Sequence, residues 1–147
     1  MNLDTVDKIW NEFSTLKNTE LKYKERKQGT VTQAHYLINY TDNLATFSFI
    51  GILMKSADGK NSNKTSIIIE FENRLSIDNF DFNSSKNLSE LDNSSFEKKI
   101  LAQIKKIGGN SITLKDNFIR LDTDTIFSSL DDFHFVVDLV LEIKNYK

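Results

Sequence analysis

The sequence predicts an α+β fold: an N-terminal helix, a mostly antiparallel sheet of about four to six strands, an amphipathic helix, a hairpin and a C-terminal helix. Three observations lead there. Apolar residues recur at helical spacing over residues 3 to 17, the period falls to two between Leu21 and Phe71, and in the second half helical spacing returns after Ser94, while residues 133 to 143 are apolar with polar groups four apart, a spacing that fits a helix or a strand.

Taken in order, Leu3, Val6, Ile9, Trp10, Phe13 and Leu16 form one stripe, with Asp7, Lys8, Asn11 and Glu12 opposite them. Asn2 or Asp4 can cap this helix, since a short side-chain acceptor satisfies the amides of a first turn. Strands follow over Leu21 to Lys27, Thr30 to Tyr40, Leu44 to Lys55 and Thr65 to Glu72, separated by short polar or glycine-bearing turns. Such connections favour an antiparallel meander, because parallel neighbours need long crossovers. Apolar groups on both faces of the third strand, from Phe47 to Met54, place it at the sheet centre, covered on both sides or nearly so. In the first strand Lys22, Lys24 and Arg26 alternate with Leu21, Tyr23 and Glu25, which gives a basic face on an edge.

Leu75 to Ile77 offers a further short strand, and the polar segment 78 to 92 ends at a capping box, Ser94-x-x-Glu97. Phe96, Ile100, Leu101, Ile104 and Ile107 then share one helix face, until Gly108-Gly109 stops it. Ser111 to Leu114 and Phe118 to Leu121 read as a hairpin across Lys115-Asp116-Asn117. The stretch from Phe133 to Ile143 is apolar except at His134, Asp138 and Glu142; caps at Asp122, Thr123 and Asp124 favour a helix over a strand, carrying Ile126, Phe127 and Leu130 into it.

A chain of 147 residues suits one domain, 1–147, large enough to bury a core without staples. With 39% hydrophobic and 27% charged residues it is neither a disordered polymer nor a membrane protein. The absence of Cys excludes disulfides, thiolate metal sites and cysteine nucleophiles. A net charge of -2 argues against a nucleic-acid binder, and the acidic, interrupted N-terminus lacks the pattern of an export signal, so a cytoplasmic protein is expected. Sequons at Asn39, Asn63, Asn83, Asn87 and Asn93 follow from an Asn- and Ser-rich composition.

Candidate binding residues fall in two groups. His134, Asp138 and Glu142, four apart, would line one helix stripe where an imidazole and a carboxylate are neighbours. The bland alternative is the solvent edge of a core helix. His35 lies in a strand, so joining it to His134 would need those elements to converge. Lys22, Lys24 and Arg26, with Tyr23 interleaved, could meet phosphates, although lysines on an edge also guard against aggregation. The segment Asp81 to Asp92 has oxygen donors at alternate positions as in an EF-hand loop, but Lys86 replaces the turn glycine and Asp92 the bidentate glutamate.

No catalytic elbow, phosphate loop or dinucleotide fingerprint occurs, and no metal or cofactor is expected. Asp122 to Glu142 holds six acids and neither Lys nor Arg, which opposes the basic first strand and suits docking to a charged partner. The expected function is a small, non-enzymatic, intracellular binding protein of the immunity or adaptor type, with a protein partner and no membrane. The alternative is a small-ligand-binding or catalytic domain using His134 with Asp138, or His35. A homodimer that covers the apolar terminal helix is a further expectation.

Overall fold

The computed structural model describes residues 3–56, 61–83 and 95–146. Helix α1 (Leu3–Leu16) buries Val6, Trp10 and Phe13 along one face and turns Lys8 and Glu12 to water. It is followed by Asn18 at a φ of 53°, a left-handed conformation that Asn tolerates better than most residues.

Seven strands follow: β1 (Leu21–Gln28), β2 (Val31–Thr41), β3 (Thr46–Ser56), β4 (Asn61–Glu70), β5 (Phe80–Asn83), β6 (Gly109–Lys115) and β7 (Phe118–Thr123). They form one sheet in the order β1-β2-β3-β4-β7-β6-β5, with every neighbouring pair antiparallel. Local chemistry closes the turns. Between β2 and β3 the Asp42 carboxylate accepts the Leu44 and Ala45 amides at 2.8 and 3.1 Å, an Asx turn written by the Asp-Asn pair.

Helix α2 (Ser95–Ile104) runs into a 3-10 turn, Lys105–Ile107, and stops at Gly108 in the left-handed region. Helix α3 (Leu130–Asn145) then crosses the same side of the sheet. Its Phe133 stacks on Phe13 with ring centres 4.2 Å apart and meets Trp10, Phe49 and Phe127 at 5.0 to 5.2 Å. At its far end Tyr146 stacks on Phe96 of α2 at 3.9 Å, so α3 touches both other helices.

All the fully buried strand residues lie on this helix-covered face. Tyr36 and Ile38 of β2, Phe47 and Phe49 of β3, Ile67 and Ile69 of β4, and Leu121 of β7 supply its centre. Gly51 leaves room for α1 to approach: a Cβ there would stand 2.6 Å from Trp10 Cζ2. The indole is fixed in that position by its N–H, which donates to the Phe127 carbonyl at 2.9 Å.

The α+β class, the meander, the late hairpin and the terminal helices agree with the sequence reading, with four corrections. Among the described residues there are seven strands rather than four to six, because Phe80–Asn83 adds to β6 whereas Leu75 and Ile77 are buried in a connecting segment. Strand β3 is interior, but among the described residues only one of its faces is covered by helices, and β4 is the central strand. The acids at 122 and 124 do not cap α3: Asp122 and Thr123 belong to β7, and Ile126 and Phe127 precede the helix, which begins after Ser129. Asp81 to Asn83 is strand rather than loop, while the rest of the proposed calcium loop and the caps at Asn2 and Ser94 lie outside the described residues.

Candidate functional site

Strand alternation sends one set of side chains under the helices and the other to the opposite side, where among the described residues no helix packs. This open face carries a half-buried apolar strip across its strands: Leu37 of β2, Ile50, Ile52 and Met54 of β3, and Ile68 of β4. Antiparallel register places the basic residues beside it. Lys22 faces Leu37, Lys24 faces His35, Arg26 faces Gln33, and Lys64 faces Ile52.

Among the described strand residues of the β1 to β4 half of the face, Lys22, Lys24, Arg26 and Lys64 stand against a single acid, Glu70. Near the β1 edge the surface is hollowed into a depression of about 470 Å³, lined by Lys22, Lys24, Arg26, His35, Leu37 and Ile50 among others. The arrangement is an apolar floor with a cationic rim. It suits an amphipathic partner that carries carboxylates.

The β5 to β7 half is different. Asp122 accepts hydrogen bonds from the Ser66 hydroxyl at 2.7 Å, the Ser111 hydroxyl at 3.2 Å and Arg120 Nε at 3.1 Å. Burial alone would push this carboxyl up, but the bonds from Ser66, Arg120 and Ser111 outweigh it and hold it below its ordinary value. Beside this group Asp81 accepts a bond from Thr113 at 3.1 Å. These acids are engaged by their neighbours.

The helical stripe behaves as a boundary. His134 and Asp138 are exposed on α3, with the His134 ring 6.2 Å from Phe13, and Glu142 is half-covered by α2. Glu142 accepts from Lys99 Nζ at 2.6 Å and from Gln103 at 3.4 Å; the Lys99 ammonium foremost holds its carboxyl low. His35 lies on the far side of the sheet from all three, so the structure does not bring the two histidines together. Among the described residues no three His, Asp or Glu side chains gather as a metal would require, and no helix is long and apolar enough to cross a membrane.

The basic strand, by contrast, is where the sequence put it, on the edge, with every residue after Leu21 exposed. What sequence reasoning missed is the strip beside it. The two-sided apolar pattern of β3 carries the signal, but the same pattern fits burial on both faces. Comparisons with family models, curated proteins and solved structures find no match, so the chemistry of this face carries the functional argument by itself.

Proposed function

We propose that the protein is a small, non-enzymatic, intracellular interaction protein that docks a protein partner on the open face of its sheet. The observation that supports this reading is the apolar strip Leu37, Ile50, Ile52, Met54 and Ile68, left half-covered beside the cations Lys22, Lys24 and Arg26. A contiguous apolar patch rimmed by charge is the usual form of a recognition surface. The rim selects for negative charge, and the strip supplies burial.

Affinity capture from extract of the native cell, read by mass spectrometry, tests the assignment when three baits are compared. These are the parent, Ile50→Ser with Ile52→Ser, and Lys22→Glu with Lys24→Glu and Arg26→Glu. A partner enriched by the parent and lost from both variants is the expected outcome. Retention by both, or no enrichment by the parent, overturns the reading.

A further inference from the structure

We infer that β1 is a strand-addition site for an extended acidic segment of the partner, which extends the sheet to an eighth strand. The inference rests on the docking reading above and names how the partner binds. Strand β1 pairs along its whole length with β2, in unbroken register from Leu21↔Ile38 to Gln28↔Val31. Among the described residues no strand pairs with its other side. Alternate residues therefore turn N–H and C=O groups outward along eight residues, a straight row of donors and acceptors.

Most natural edges of this length are kinked by a bulge, broken by Pro or covered by a loop. None of these protects β1: the register is regular, the chain contains no Pro, and every residue after Leu21 in the strand is exposed. Its remaining guard is charge. Lys22, Lys24 and Arg26 project on one face, at the spacing of alternate residues on an incoming strand.

That charge pattern also decides between occupants. Two copies paired antiparallel through β1 about Lys24 would set Lys22 opposite Arg26 and Lys24 opposite itself, and like charges directly opposed destabilise a ladder. An acidic strand reverses each of those terms. The cations thus repel a second copy and select a carboxylate-bearing partner. On the other face Tyr23 is 44% exposed and lies 5.0 Å from the Tyr36 ring, which offers an apolar contact to the intervening residues. The recognised segment is one in which acids alternate with apolar residues.

The test uses the full chain and a blocked ten-residue peptide alternating glutamate with valine, followed by amide chemical shifts. Saturable shifts along residues 21 to 28 are expected. The same peptide N-methylated at alternate amides should not bind, since it cannot donate to the edge. Lys22→Glu with Lys24→Glu and Arg26→Glu should weaken binding about tenfold or more, as three cross-strand charge pairs are reversed, while leaving the urea midpoint close to the parent's. Absence of binding overturns the inference, as does equal affinity for a lysine–valine peptide. Equal binding of the N-methylated peptide, with shifts at Leu37, Ile50 and Ile52 and none along β1, also overturns it, while leaving the open-face docking intact.

Discussion

At Gly51 a single missing Cβ decides how closely α1 can lie on the sheet. The Trp10 ring fills that space and cannot retreat, because it is fully buried and its N–H is bound to the Phe127 carbonyl. Gly51→Ala is therefore expected to lower stability by about 1–3 kcal/mol, the usual cost of overpacking, measured as a shift in the urea midpoint. Asp122 makes a different residue-scale prediction. Its carboxyl is held below the ordinary value of 3.8 in the folded protein, so it favours the native state at neutral pH. That contribution is lost as pH falls below 3.8 and through the lower folded value. Asp122→Asn should be less stable than the parent at pH 7, and the two curves should converge in acid; a difference that persists unchanged to the bottom of the acid limb would contradict the hydrogen-bonded carboxylate.

Among the elements, α3 shows what the spacing of polar residues can and cannot say. Its polar residues, four apart, fit a helix and a strand alike, and the caps that favoured a helix do not cap it; the structure makes it a helix that buries Phe133, Val136, Leu139, Val140 and Ile143. Its polar stripe gave no information about neighbours: only the fold reveals that Lys99 and Gln103 of α2 close over Glu142 and leave His134 and Asp138 in water. His134→Ala with Asp138→Ala should therefore change stability by no more than about 0.5 kcal/mol, as at most exposed positions. Zinc, manganese and iron should leave the melting temperature of parent and variant alike; a metal-dependent rise confined to the parent would restore the stripe as a site. Helix α3 finds its burial within the chain, apart from Leu141, which is 46% exposed.

For the whole molecule, the sequence revealed order along the chain better than order across the sheet. The β1 to β4 meander and the β6–β7 hairpin are local, and their turns name themselves in Gly29, Asp42 and Asp116. The β4–β7 pairing is not local, and nothing at Ile67 or Leu121 announces the other. Without it β3 looked central and doubly covered, and the open face could not be foreseen. The edge position of β1 was legible because its alternating cations could not have been buried.

The β4–β7 junction is closed by side chains as well as by the ladder. Beyond the last pair, Ser66↔Asp122, the Thr65 amide donates to the Thr123 hydroxyl, the Thr65 hydroxyl donates to the Thr125 carbonyl, and the Phe127 amide donates back to Thr65 Oγ1. The N-terminal meander and the C-terminal unit meet along this seam, and α1 and α3 pack against each other on the covered face. On the ribosome, β4 is made first and waits for β7 while β5, α2 and β6 are translated, at about 5–20 residues per second. For those seconds the nascent chain presents an unpaired edge bearing Ile67, Ile68 and Ile69, with α1 still lacking the Phe133 ring on which Phe13 stacks. The most hazardous moment for this protein therefore falls during its synthesis, when its central strand is temporarily its outermost one.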